Sequence, residues 1–477
     1  MTSSAYEGTR LFSEFWMQAA GGLLLVAVSV LLALLGPAYA LSLCLFCVAA
    51  LAAGRLDAQS RVPGLLGSTA ALGLYFSTGI GSIDLPAVVP LSGVFILLAT
   101  LRAGGGVIPR LPSDLRIALG VFLGALILGV VRGQAPKEGV RVLVILLWLL
   151  LTGWLSFVLC LERRESALFR SYSVVAAAYG LLNITFFVFP RAEDAYFASW
   201  ISQVFVEPDS IRKLLTGDVV NNALSDLKAA TIYVNANVAA MFFGTAAWVS
   251  YGWWQGSRWR WPLIGACVLG ALGTVSRGGA LAGAVSFILW GLLQLRGRAF
   301  WRIALRLTGG ALAVGIIGLV LANVRSESFG RFAWSTVSAD PRFVLWGAAI
   351  ALIHSHPLVG SGFGAWEAYW PAIATVVNLR TSFPPHNVYL YLWIIGGLLA
   401  PVGFLGIAVA LLRSVRHLTL GDGLRSNPEA LAVAAIVGWC WVQANFENFF
   451  FLDYRIGFLL AATVGWVLAR GAAAAAE

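Results

Sequence analysis

The 477-residue chain is 59% apolar and only 11% charged, with a mean hydropathy of +0.84 and a formal net charge of +10. Soluble domains carry about 25% charged residues, so a water-soluble fold is excluded. Apolar runs of about 20 residues are long enough to cross a bilayer as helices, and the composition predicts an all-α polytopic membrane protein.

Taken in chain order, the first apolar run covers Trp16 to Leu35 and is followed by Ala38-Tyr39-Ala40, which has the form of a signal-peptidase site. The run exceeds the ~7–15 residues of a signal h-region and only Arg10 supplies positive charge before it, so it reads as a retained first span. Further spans are expected at 38–53, 64–82, 87–101, 117–131, 142–160, 171–189, 229–251, 261–275, 279–295, 307–323, 387–412, 429–447 and 456–470. Those at 38–53 and 261–275 are short enough to be half-spans, so 12–14 transmembrane helices are predicted. Two long connections, 190–228 and 324–386, divide the chain into an N-terminal part (1–228) and a C-terminal part (229–477). Within the second connection Phe343 to His354 is apolar but too short to span, and reads as a re-entrant or interfacial helix. The five cysteines, Cys44, Cys47, Cys160, Cys267 and Cys440, lie inside apolar runs and read as small apolar fillers.

Basic residues in short loops stay on the cytoplasmic side. With the N-terminus inside, the inner face holds 19 basic and nine acidic residues, and the outer face 13 of each. The whole net charge is therefore cytoplasmic. It reports orientation, and no nucleic-acid partner is implied.

The informative cations are those on the outer side, against the sorting rule: among them Arg132, Lys137, Arg141, Arg212, Arg277, Arg342, Arg380 and Arg455. Ion pairing with the outer acids is the ordinary explanation for a loop arginine. Arg277 differs, because its neighbours in Thr274-Val275-Ser276-Arg277-Gly278-Gly279 are small and uncharged. It precedes an apolar helix whose N-terminal amides attract phosphate, arginine suits bidentate phosphate contacts, and the two glycines are expected to leave the backbone open to a ligand. His386 follows Pro384-Pro385 and should stand at the outer end of a spanning helix, where the positive terminus and desolvation favour the neutral, proton-accepting imidazole. A capping or packing role is the alternative. Cys44 and Cys47 have C-x-x-C spacing but lie within an apolar run; beyond Glu193-Asp194 no outer loop holds a closely spaced pair of acids and there is no H-x-x-x-H, while Asp340, Glu367, Glu447 and Asp453 remain as further acids able to serve as a base.

Four motifs in order resemble the O-antigen ligase/polymerase superfamily: Asn235-Ala236-Asn237-Val238-Ala239-Ala240, Ser276-Arg277-Gly278-Gly279-Ala280-Leu281, Arg342-x3-Trp346 followed by His356-Pro357-Leu358-Val359-Gly360-Ser361-Gly362-Phe363-Gly364, and His386-Asn387-x-Tyr389-Leu390. The resemblance spans roughly 230–410. It implies a GT-C-like glycosyltransferase in the bacterial inner membrane, working at the periplasmic face. Such an enzyme moves glycan from an undecaprenyl-diphosphate donor to a glycan or lipid A core acceptor, with no metal, cofactor or nucleotide sugar. Carried over residue by residue, Arg277 contacts the diphosphate and His386 acts as base or acceptor-orienting group. Arg342, Trp346 and the Gly-rich turn at Gly362 shape the loop over the donor, and Asn387 accompanies the histidine. Arg380 on the same loop joins the substrate-binding set, and Arg212 is the candidate for a second diphosphate-binding arginine.

A transporter or flippase for an anionic or lipid-linked substrate is the rival reading. It predicts ionisable residues deep inside the spans, whereas here arginine and histidine sit at span ends.

Overall fold

A computed structural model describes residues 60–77, 84–86, 88–102, 111–206, 228–294, 342–377, 384–421, 427–448 and 450–474, with a few isolated positions between 41 and 49 and between 210 and 215. The fold is helical. In chain order come α1 (Arg61–Leu72), a hairpin of β1 (Tyr75–Ser77) and β2 (Asp84–Pro86), α2 (Val88–Arg102), α3 (Ser113–Arg132), α4 (Pro136–Leu161), α5 (Glu165–Val188), α6 (Pro190–Ala198), α7 (Ser202–Phe205), α8 (Ala236–Trp253), α9 (Arg260–Gly273) and α10 (Arg277–Gln294). After them come α11 (Arg342–Ser355), α12 (Ala365–Val377), α13 (Val388–Gly396), α14 (Leu399–Gly421), α15 (Pro428–Gln443) and α16 (Tyr454–Ala474).

Five of the described helices, α3, α4, α5, α14 and α16, are long and apolar enough to cross a membrane. The chain is a multi-pass membrane protein. Helix α8 is its axis: 15 of its 18 residues are buried, against α5, α9, α10 and α15. Helices of the bundle approach closely where a glycine stands at the contact. Gly244 lies on the Trp439 ring, Gly180 of α5 on Gly270 of α9, and Gly465 of α16 on Gly153 of α4. Lipid is as apolar as a leucine side chain, so close packing of this kind is what holds such helices together.

Several expected boundaries move. The run 64–82 is helical only to Leu72, where Gly73 takes a left-handed φ of 62° and the chain turns into β1. The loop expected around Arg132–Arg141 is short: Arg132 ends α3, while Lys137 and Arg141 already belong to α4, where Arg141 lies 3.9 Å from an equally exposed Glu138. The span expected over 387–412 is two helices, broken at Gly397 (φ 68°). The spans expected at 16–35 and 307–323 lie outside the described residues, as does most of 38–53. The short apolar run at 343–354 is helix α11, as expected.

Contacts between helix ends place one set of termini together: the ends of α1, α3, α5, α9 and α15 with the starts of α4, α8, α10 and α16. This is the end that the arginine distribution assigns to the outer side.

Candidate active site

Three helix heads meet at this end, each closed by a side chain suited to capping. Asn235 heads α8 and accepts from the Asn237 amide at 2.9 Å; Ser276 Oγ accepts from the Gly279 amide at 3.0 Å and heads α10; Asn387 heads α13 and accepts from the Leu390 amide at 3.0 Å. The heads are tied to one another. Ser276 Oγ donates to Asn237 Oδ1 at 2.7 Å, Gln443 Nε2 donates to the Asn237 carbonyl, and the Val388 amide donates to the Ala444 carbonyl at 2.7 Å. Gln443 is itself fixed by Trp439 Nε1 at 2.7 Å. Helix N-termini carry partial positive charge and spare N–H groups, so three of them in one place form an environment suited to an anion.

The backbone leading into each head is strained. Thr231, Val275 and His386 have φ of 57°, 47° and 50°. For β-branched Thr231 and Val275 this conformation is costly, and residues held this way concentrate where geometry serves function. His386 is pinned from both sides: Trp346 Nε1 donates to the Pro385 carbonyl at 2.9 Å, and Asn387 closes the helix that follows.

The His386 side chain is 20% exposed. Its Nδ1 lies 4.0 Å from Glu447 Oε2, and the Glu447 side chain is 3% exposed. The same Oε2 accepts from Asn235 Nδ2 at 2.8 Å, so the first motif reaches the last through a carboxylate that neither contains. Arg277 opens α10 and is half-buried. Its two glycines do not face a ligand. A Cβ on Gly278 would stand 2.9 Å from Phe446 Cβ, and one on Gly279 would stand 2.7 Å from Ala240 Cβ. They let α10 press onto α8 and onto the turn carrying Glu447, which corrects the open-backbone expectation.

Arg342 opens α11 and, through Trp346 one turn later, this helix reaches the His386 segment. Gly362 sits away from the histidine. Its amide donates to the Ile395 carbonyl at 3.1 Å, and its Cα face lies on Gly133, so the turn is docked on the α3–α4 connection by backbone contacts. Arg212 and Arg380 lie outside the described residues.

Two further buried ionisable groups brace this end. Glu193 of α6 accepts from the amides of Ala230 and Thr231 at 2.7 and 3.0 Å, holding the chain that enters α8; burial pushes its carboxyl up to about 7, against the pull of those two amides. Arg455, 4% exposed, donates to the carbonyls of Gly73 and Phe205, lies 3.8 Å from Asp453, and stacks over Tyr233. Arg455, Asp453, Tyr233 and Phe205 line a cavity of about 200 Å³ together with Asn235 and Ile232. Among the described residues no three metal-ligating side chains gather.

The region that supplies Arg277, the α11 helix, the glycine turn and His386 matches a known family model, described as O-antigen ligase, over residues 262–405. That segment is similar to the O-antigen ligase family. The O-antigen ligase of Salmonella typhimurium (strain LT2) is 27% identical over 215 residues, covering 40% of this chain and 49% of that protein. The chain thus spans about half the length of the curated O-antigen ligase it matches, and its similarity to the O-antigen ligase/polymerase superfamily agrees with the motif order. Asn235, Glu447 and Arg455 fall outside the matched segment. Glu447 has one signal in the sequence, an isolated acid among apolar and aromatic residues in Phe446-Glu447-Asn448-Phe449.

Proposed function

We propose that the chain is a membrane glycosyltransferase that moves glycan from an undecaprenyl-diphosphate donor to a glycan acceptor at the periplasmic face of the bacterial inner membrane, as a polymerase or a ligase. The observation that carries this reading is the meeting of three capped helix heads with Arg277 and His386 at one end of the bundle. In the reaction His386 takes the proton of the acceptor hydroxyl. The acceptor oxygen forms a bond to the sugar carbon as the bond from that carbon to the diphosphate oxygen breaks, and the configuration inverts. The departing diphosphate gains charge, which Arg277 and the spare amides of the helix heads stabilise from fixed positions in a site of low dielectric. Arg342 and Trp346 hold the α11 side of the donor, with Arg212 and Arg380 as further cations for it. Residues 229–477 hold the chemistry in this reading, while 1–228 supply spans and the outer segment bearing Glu193.

A transporter would carry its ionisable groups along the middle of the bundle. Among the described residues the buried ones lie at bundle ends: Glu193, Lys228, Glu447 and Arg455 at the site, and Glu165, paired with Arg470 at 3.1 Å, at the opposite end.

The test uses purified protein in nanodiscs with an undecaprenyl-diphosphate-linked saccharide and a glycan acceptor, following glycosidic product and free undecaprenyl diphosphate. Arg277→Ala and His386→Ala are each expected to slow transfer by about 100-fold or more. Transfer at the wild-type rate in both variants would overturn the mechanism.

A further inference from the structure

Glu447 is the unusual group at this end. Its side chain is 3% exposed, and among the described residues it has one hydrogen-bond donor, Asn235 Nδ2 on Oε2 at 2.8 Å, while Oε1 has none. A buried carboxylate held by a single neutral donor is under-satisfied, and such groups persist where a cation or a proton comes to them. The group positioned to supply one is His386, whose Nδ1 stands 4.0 Å away on a backbone locked at φ 50°. Gly278 seated against Phe446 keeps the carboxylate's turn from retreating.

We infer that Glu447 is a positioning residue for His386: Asn235 holds the carboxylate, the carboxylate faces Nδ1, and Nε2 is the nitrogen that meets the acceptor hydroxyl. As Nε2 takes the hydroxyl proton, the imidazole becomes cationic. Glu447 stabilises that cation through Nδ1–H and fixes the tautomer, which is how an orienting carboxylate assists a histidine base. The inference rests on the glycosyl-transfer reading for its chemistry, though the pairing itself is a statement about two side chains.

The charged groups on the elements around His386 include Glu447 beyond α15, Arg277 heading α10, Arg342 heading α11, Glu367 on α12 and Arg132 ending α3, with Tyr389 and Tyr391 on α13 and His354 late in α11 as further titratable groups. Glu367 is exposed and takes its hydrogen bond from Tyr391 Oη at 2.9 Å; Glu447 is the buried carboxylate of the set. Removing its charge while keeping an acceptor for Asn235 is achieved by Glu447→Gln, which preserves the local fold.

Two measurements test the pairing. In the nanodisc assay Glu447→Gln is expected to lower kcat about 10- to 100-fold with little change in KM, and to move the acid limb of kcat/KM down by about one pH unit or more, because a carboxylate beside an imidazole raises its pKa. Independently of any donor, carbethoxylation of His386 by diethyl pyrocarbonate, read by mass spectrometry against pH, reports neutral imidazole. Its midpoint should fall by the same amount in Glu447→Gln and stay at the wild-type value in Glu367→Gln. An unchanged midpoint in Glu447→Gln would overturn the inference whatever the activity, since lost turnover alone would then be a packing effect. A wild-type protein that releases no undecaprenyl diphosphate, together with a lowered midpoint in Glu447→Gln, would overturn the transfer reading and leave the pairing standing.

Discussion

Gly278→Ala is the sharpest probe of how the site is assembled. The added methyl would meet Phe446 at 2.9 Å from Cβ, 3.0 Å from Cγ and 3.1 Å from Cδ2. Ordinary contact between such carbons is about 3.5–4.0 Å, so the head of α10 and the turn bearing Glu447 must part by about half an ångström to one ångström. The contact involves Cβ of a half-buried phenylalanine, and Cβ moves only with its backbone. Overpacking of this kind costs about 1–3 kcal/mol. A displacement near 1 Å at a reacting centre can cost about 100-fold in rate. The expected result is a lowered thermal midpoint together with a kcat loss larger than that stability change alone predicts. Gly265→Ala, on α9 with nothing within 4 Å of its added carbon, serves as the reference and should leave kcat unchanged with a midpoint at or above the wild-type value, since alanine favours a helix interior over glycine. Wild-type kcat and midpoint in Gly278→Ala would refute the close seating of α10 on the Glu447 turn, and would return Gly278 to the role of an open backbone awaiting a ligand.

Two other outcomes follow from the braces around the site. Glu193 is protonated at higher pH in the folded protein than in the unfolded chain, about 7 against 4.5. The folded state therefore binds the extra proton between those values, and stability is expected to fall as pH rises from about 4.5 to about 7, then level off; Glu193→Gln should abolish that slope in thermal midpoints measured across pH 5–8, and an equal slope in both proteins would contradict the assignment. Ser276→Ala removes both the cap on Gly279 and the donor to Asn237 Oδ1. It should cost about 1–2 kcal/mol in denaturation and lower turnover without altering donor affinity, whereas an unchanged midpoint would show that α10 does not depend on this cap.

The helix heads were legible because their chemistry is local. Pro384-Pro385 before His386-Asn387, and Ser276 before Arg277, mark helix starts by backbone restriction and by hydroxyl or amide capping, and both starts stand where expected. The break at Gly397 was hidden. Val388 to Leu412 is one apolar run, and hydropathy measures how a segment partitions, with no information on where it bends. The signal was the pair Gly396-Gly397, of which Gly397 needs its left-handed φ. Glu447 was legible as an acid but not as a partner, because the contact to Asn235 joins residues 212 positions apart and no periodicity records such a distance. The glycines after Arg277 were misread for a related reason: an absent Cβ makes room equally for a ligand or for a neighbouring helix, and here Phe446 and Ala240 took the space.

The glycine turn between α11 and α12 has a mechanical consequence. Gly360, Gly362 and Gly364, with φ of 70°, 88° and 88°, rest their bare backbones on Gly397, Gly133 and Ala135. At these positions not even a methyl group fits, so the turn has no clearance in which to slide. Any rotation of α11 and α12 relative to the bundle must pivot at this turn, with the tip of the α3–α4 hairpin as its bearing.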